Sequence, residues 1–317
     1  MPEGGFLLCY FLAEDVADGE QLRFALSDGP TPLSWTPLNG GRPVLSSAVG
    51  ECGMRDPFLV RDEANGKFVL LATDLKIGSG QDWNRATRYG SDAIIVYESF
   101  DLVHWRGPFR RRIAPPEAGN TWAPKAFWSA EREAWLVFWA SALFPNGQDR
   151  TAGSHQRMMV AATRDFGSFG EPRTYLDQGH DVIDATFLKD GGRYYRFSAN
   201  AQGPEKSPRH SLHLLCEVGT SLEDPAFMPV AVDIGKGVME RAEGPAVAAD
   251  PAGGRWYLLA DEFGLRGYQL FTCTDLSLGR WEHLSDARLP PGARHGSLLA
   301  LSADEMARLH SAQWTNA

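Results

Sequence analysis

Short apolar runs, some alternating with polar residues and some continuous, recur along the chain. They are rich in Val, Phe, Tyr, Trp and Leu and are separated by Gly, Asp, Asn and Pro. Runs of this length bounded by turn formers predict many short strands. Helical periodicity is convincing only over residues 302–310 (SADEMARLH), where Ser302 is placed to N-cap the helix and Glu305, three residues on, to complete a capping box.

The strand pattern repeats. RDPFLVRDEANGKFVLLATD from Arg55, APKAFWSAEREAWLVFWAS from Ala123, IDATFLKDGGRYYRFSAN from Ile183 and GPAVAADPAGGRWYLLADEF from Gly244 each read as a strand, a tight turn and a second strand heavy in aromatics. Aligning Pro57, Pro124, Ala185 and Pro245 gives steps of 67, 61 and 60 residues. A further element with a packed aromatic, SFDLVHW, TRDFGSF or TDLSLGRW, follows three of these and reads as an outer-edge turn. A period near 60 with several strands per repeat predicts propeller blades. Four blades are continuous. The fifth is split: RHGSLLAL from Arg294 reads as its inner strand, and the N-terminal runs GFLLCYFLAE, QLRFALSD and LSWTPLN supply the other three. Pairing the two chain ends closes the ring and hides its edges. The expected fold is therefore an all-β, five-bladed β-propeller, with residues 1–317 as one catalytic domain.

Composition sharpens the functional class. Apolar residues make up 43 % of the 317, enough for a large core, and the net charge of −9 is spread along the chain. That balance excludes a basic nucleic-acid-binding face and suits a neutral ligand such as a sugar better than an acidic polymer. The four cysteines, Cys9, Cys52, Cys216 and Cys273, lack metal-ligand spacing and read as reduced and structural. The longest N-terminal apolar stretch, residues 6–12, is too short to span a bilayer and has no basic segment before it. The chain as it stands thus reads as cytoplasmic, with no membrane partner.

In a propeller the innermost strands converge on the axis. The repeat places Asp56, Asp184 and Glu243 at nearly equivalent positions beside strands that should be apolar. A carboxylate there needs water, a partner or a task. A capped turn or an inter-blade ion pair explains any one of them, but three at matched positions point to shared chemistry. Glycoside cleavage needs such a set: an acid to protonate the leaving oxygen, a carboxylate on the opposite face, and a neighbouring charge that keeps the acid protonated.

Five motifs, one per blade and in order, carry a family resemblance: Arg55-Asp56-Pro57, Trp122-Ala123-Pro124, Ile183-Asp184, Glu243-Gly244-Pro245 and His295-Gly296-Ser297. Over residues 6–301 the chain resembles glycoside hydrolase family 43, which includes arabinofuranosidases and xylosidases. The resemblance implies an inverting mechanism with Asp56 as general base, Asp184 as orienter and pKa modulator, and Glu243 as general acid. Inversion calls for roughly 6.5–9.5 Å between the two catalytic carboxyl groups. Trp122, placed near the funnel floor, is expected to stack on a sugar or serve as a plain core residue, and Arg294 and His295, at the start of the last inner strand, are expected to contact substrate, with a hydrogen-bonded core imidazole as the other reading of His295. No cofactor is required for the chemistry, but the resemblance places a structural ion such as Ca2+ on the axis near His295. Lys125 departs from the acidic residue more usual after Trp-Ala-Pro and leaves the polar lining of that blade open. The expected activity is exo-acting release of a terminal pentose from plant-type glycans or oligosaccharides, α-L-arabinofuranosidase first, with β-xylosidase or a galactan-side exo-hydrolase as alternatives. The exo expectation rests on the long polar loop around Asp82-Trp83 and Arg88-Tyr89, read as a wall at one end of the pocket. Glu240 and Asp181 read as loop carboxylates, and Asp62 and Asp190 as turn formers.

Two other readings compete. The fructan and sucrose hydrolases also carry Arg-Asp-Pro, but after an Asn-Asp-Pro that is missing here, and the only Glu-Cys, Glu51-Cys52, precedes the triplet. A non-catalytic sugar-binding propeller would not need all three carboxylates.

Overall fold

The computed structural model describes residues 4–78, 80, 82–144, 150–199 and 212–314. It contains five four-stranded antiparallel sheets. Blade one is β4 (Met54–Asp62), β5 (Lys67–Asp74), β6 (Ala93–Ser99) and β7 (Trp105–Arg112). Blade two is β8 (Trp122–Ser129), β9 (Ala134–Ala142), β10 (Gln156–Thr163) and β11 (Arg173–Leu176). Blade three is β12 (Ile183–Asp190), β13 (Arg193–Ala199), β14 (Leu214–Gly219) and β15 (Met228–Ile234). Blade four is β16 (Glu243–Ala249), β17 (Trp256–Glu262), β18 (Gly267–Cys273) and β19 (Glu282–His283). Blade five joins the chain ends in the order β20-β1-β2-β3, with β1 (Gly5–Phe11), β2 (Arg23–Ser27), β3 (Trp35–Pro37) and β20 (Arg294–Leu301). The five-bladed propeller and its composite blade are as the repeat predicts.

Strands β4, β8, β12, β16 and β20 touch one another in cyclic order and form the hub. Apolar clusters fill the spaces between neighbouring sheets around the ring. Val69 and Ile94 of blade one meet Val137 and Trp139 of blade two. Phe138 of blade two packs on Phe187 of blade three, in a cluster that continues through Phe197 to Leu258 of blade four. Tyr257 and Leu270 of blade four meet Phe6 and Leu8 of blade five. Leu7 and Phe24 of blade five close the circle on Leu70 and Ile95 of blade one. Each such buried aromatic or branched side chain stabilises the fold by about 1.5–3 kcal/mol. The outer strands are more polar, and most of β7 is solvent-facing or half-buried.

Two helices accompany the ring. The capping box of Ser302 and Glu305 starts α2 (Ala303–Ser311) as the sequence predicts. The loop after β5 holds a helix the sequence reading did not find, α1 (Trp83–Tyr89), N-capped by Asp82 through the Arg85 amide. Its seven residues present a single buried side chain, Ala86, too short an apolar pattern to signal a helix. All four cysteines are free; Cys9, Cys216 and Cys273 are buried, whereas Cys52 is exposed and has no part in the core. Among the described residues no helix is long and apolar enough to cross a membrane.

Candidate active site

Every hub strand carries the same irregularity. Across the pairs Arg55/Phe58, Trp122/Lys125, Ile183/Thr186, Glu243/Ala246 and Arg294/Ser297, the hub strand advances three residues while its neighbour advances two. The extra residue makes a bulge, which bends a strand and re-aims its side chains. In four blades the residue after the first of each pair is left-handed: Asp56 (φ 52°), Ala123 (φ 51°), Asp184 (φ 60°) and Gly244 (φ 57°). For the three that are not glycine this is strained backbone, of order 1–3 kcal/mol each, held in place by the surrounding sheet. At Gly244 a side chain would be excluded outright, because a Cβ there would lie 2.5 Å from Cγ of His295.

The bulge also corrects one reading. Asp56 and Asp184 are equivalent to each other, and by register to His295, but Glu243 stands one residue earlier, level with Arg55, Trp122, Ile183 and Arg294. The carboxylates therefore occupy two adjacent tiers, with Glu243 in the tier that also holds Arg55 and Arg294.

All six sequence-nominated residues, Asp56, Trp122, Asp184, Glu243, Arg294 and His295, line one axial cavity of about 550 Å3. Nδ1 of His295 lies 3.0 Å from Oδ1 of Asp56 and 3.8 Å from Oδ2 of Asp184. The Thr73 hydroxyl donates to Oδ2 of Asp56 at 2.7 Å. The backbone amide of Gly244, next to Glu243, donates to Oδ2 of Asp184 at 3.0 Å. Glu243 Oε1 meets Nη2 of Arg294 at 2.9 Å. That guanidinium also contacts Asp261 at 3.1 Å and Glu14 at 3.5 Å, so one cation serves three carboxylates.

These surroundings drive the carboxyls apart. Burial alone would raise Asp56, but the interaction with His295 and its hydrogen bond, with Arg55 and the Thr73 hydroxyl, outweigh it and hold Asp56 well below the usual carboxylate range. Burial raises Glu243 far above that range, and repulsion from Asp261 and Asp184 adds to it against the pull of Arg294. Asp184 is also raised, by burial and by Asp56, against His295. Within a single cavity one carboxyl is thus biased toward its charged form and another toward its protonated form.

Several site residues escaped the sequence reading. Asp261 on β17 is buried and opposite Glu243. The signal was its charge in LLADEF, where the corresponding strands of other blades have Thr73, Ala140 or Ala199. Glu14, from the loop after β1, reaches both Arg55, at 3.4 Å, and Arg294. Asp181, expected to be an ordinary loop carboxylate, is buried at the cavity wall and accepts the Gln156 amide at 2.6 Å. Trp83 of α1, from the loop that the sequence reading made a pocket wall, does line the cavity; it meets Trp122 edge to face at 6.0 Å, while the Arg55 guanidinium lies 5.1 Å from its ring.

Lys125 answers the question its sequence context left open. It is fully buried, with Nζ 3.2 Å from Nε2 of His295 and 5.4 Å from the ring centre of Phe58. Burial pulls it down to about 8 against the attraction of Asp184, Asp56 and Cys9, so its charge persists at neutral pH. Both ring nitrogens of His295 are therefore engaged, one by a carboxylate and the other by an ammonium. These surroundings do not fit a cation such as Ca2+, which would meet a fixed positive charge at close range.

A five-bladed ring whose hub gathers carboxyls of opposed ionisation around a sugar-sized cavity is the layout expected of a propeller glycosidase. The chain belongs to that class by family as well: residues 2–307 match the family described as a probable glycosyl hydrolase domain, related to glycoside hydrolase family 43. An α-L-arabinofuranosidase of Bifidobacterium longum subsp. longum is 35 % identical over 215 residues, covering 64 % of this chain and 20 % of that protein. A probable arabinan endo-1,5-α-L-arabinosidase A of Aspergillus fumigatus is 26 % identical over 151 residues, covering 47 % of this chain and 42 % of that protein. The chain thus spans less than half the length of either curated relative. Among solved structures, a thermostable family-43 glycoside hydrolase superposes with a TM-score of 0.55 at 17 % identity, over 82 % of this chain and 83 % of that one. The catalytic domain of a family-62 α-L-arabinofuranosidase from Coprinopsis cinerea superposes with a TM-score of 0.51 at 18 % identity, over 78 % and 72 %. These two likenesses establish the shared fold.

Proposed function

We propose that this chain is an inverting, exo-acting glycosidase that releases a terminal pentose, with α-L-arabinofuranose as the preferred sugar. The observation that carries the reading is the opposed ionisation of Asp56 and Glu243 within one cavity. A merely sugar-binding propeller has no need to hold one carboxyl protonated beside another held charged. The sugar assignment is supported by the Bifidobacterium relative named as an α-L-arabinofuranosidase.

In this reading Glu243 gives its proton to the glycosidic oxygen as the bond from that oxygen to the anomeric carbon breaks. A water on the opposite face of the ring forms the new bond to that carbon and passes a proton to Asp56. Asp184 holds the Gly244 amide and so fixes the backbone beside the acid, and its negative charge helps Glu243 keep its proton. Trp122 offers an apolar wall to the sugar, and the side of the cavity formed by Trp83 and α1 supports exo action.

The test is hydrolysis of nitrophenyl α-L-arabinofuranoside, β-xyloside and β-galactoside together with linear arabino-oligosaccharides. The reading expects arabinofuranoside turnover, monosaccharide as the sole early product, and an inverted anomer first in the NMR time course. Internal cleavage of the oligosaccharides overturns exo action, a retained anomer overturns the roles given to Asp56 and water, and binding without turnover of any substrate overturns the enzyme.

A further inference from the structure

Lys125 is the one fully buried lysine among the described residues, and the reaction outlined above gives it no task. It is the fourth residue of the blade-two bulge, where blades one, three, four and five have Phe58, Thr186, Ala246 and Ser297. Its long side chain ends at a histidine 170 residues away in sequence. Burying an ammonium is expensive unless something uses the charge.

Hydrogen-bond accounting settles what it does. An ammonium has three donors and no acceptor. At 3.2 Å from Nζ, Nε2 of His295 must therefore act as an acceptor and carry no proton. The ring proton then resides on Nδ1, which points at Oδ1 of Asp56 at 3.0 Å. The pair thus carries one positive charge near Asp56, lodged on Lys125, and a neutral imidazole of defined tautomer passes its influence on through a hydrogen bond.

We propose that Lys125 is a positioning residue that fixes the Nδ1–H tautomer of His295 and thereby aims the Asp56 carboxylate, acting as a tethered cation on the propeller axis in place of a metal ion. The proposal rests on the reading of Asp56 as general base, but its central claim concerns the tautomer and is measured without turnover.

The direct measurement is 15N NMR of histidine-labelled protein at pH 7, with the His295 signals assigned by their loss in His295→Gln. The expected result is a neutral ring protonated on Nδ1. A ring protonated on Nε2, or on both nitrogens, overturns the proposal even if the enzyme is active. The kinetic test uses Lys125→Met and Lys125→Ala. Loss of aim should lower kcat about 100-fold with KM changed far less. Externally added n-propylammonium, which matches the deleted part of the side chain, should restore turnover in Lys125→Ala but not in Lys125→Met, where the space is filled. Wild-type kcat in Lys125→Met, with the histidine tautomer unchanged, overturns the role. Stimulation of the wild-type protein by Ca2+, or its inactivation by a chelator, overturns the claim that the ammonium stands in place of an ion. If no substrate is turned over by the wild type, the NMR result still decides the tautomer, so failure of the enzymatic reading and failure of this proposal are told apart.

Discussion

Glu243 and Asp261 face each other across the β16–β17 pair, and Arg294 bridges them, at 2.9 Å from one and 3.1 Å from the other. The second oxygen of Asp261, Oδ1, is buried without a hydrogen-bond partner among the described residues. One guanidinium is thus divided between two carboxyls that repel each other, which favours a proton on Glu243. Asp261→Asn removes a negative charge and leaves Arg294 shared only by Glu243 and Glu14. Both changes favour ionised Glu243, so its proton is lost at lower pH. The basic limb of the kcat/KM profile should move down by about one pH unit. Asp184→Asn should move it the same way, whereas an unmoved limb in both variants would remove Glu243 from the role of acid.

The division of labour between Glu243 and Asp56 predicts different responses to the leaving group. Glu243→Gln should slow hydrolysis of natural linkages by about 10²–10⁴-fold and that of dinitrophenyl glycosides much less, because a good leaving group needs little protonation. Asp56→Asn should abolish turnover with every leaving group. Steady-state rates over a leaving-group series check this, and parallel losses in the two variants would contradict it.

Gly244 is constrained twice, by φ 57° and by its approach to His295. Gly244→Ala should lower stability by about 1–3 kcal/mol in urea unfolding. It should also reduce kcat, since the same amide holds Asp184 and the displaced ring is the one that faces Asp56.

Trp83 is 47 % exposed yet lines the cavity opposite Trp122. Trp83→Ala should leave folding intact and raise KM more than it lowers kcat, and initial rates across a range of substrate concentrations would show the split. A fall in kcat alone would place this tryptophan outside the sugar's path.

Outside the axial cavity, Arg196 and Glu217 form a buried pair on β13 and β14, with Nη2 and Oε2 2.6 Å apart and the guanidinium carbon 4.5 Å from the Phe227 ring centre. Glu217→Gln should cost about 3–5 kcal/mol by stranding the arginine, while replacing both by Met and Leu should recover most of that loss. Denaturation curves of the two variants measure it, and kcat should not change in either.

The ring and its chemistry were legible to different depths. Strands were readable because each blade repeats its apolar runs and turn signals, as in the Asp190-Gly191-Gly192-Arg193 hairpin, where both central glycines are left-handed. Asp56 and Asp184 stood out because a carboxylate interrupts an apolar run. The tier shift of Glu243 was hidden because a bulge alters register without altering composition. The partners of Lys125 and Glu14 were hidden for another reason: His295 and Arg294 lie 170 and 280 residues away, and no local pattern encodes such pairings. The α1 helix is short and exposed, so its sequence carries little amphipathic signal.

Blade five is a clasp between the first and last strands of the fold. During synthesis β1 must wait for β20, the last strand of the ring, and β20 brings Arg294 and His295 with it. A nascent chain halted before residue 294 would hold four finished blades and Asp56, Asp184 and Glu243, yet it would lack the guanidinium and the imidazole that set their charges. Closure of the ring and completion of the reaction centre are therefore one event, so a partly made enzyme stays silent until its shape is whole.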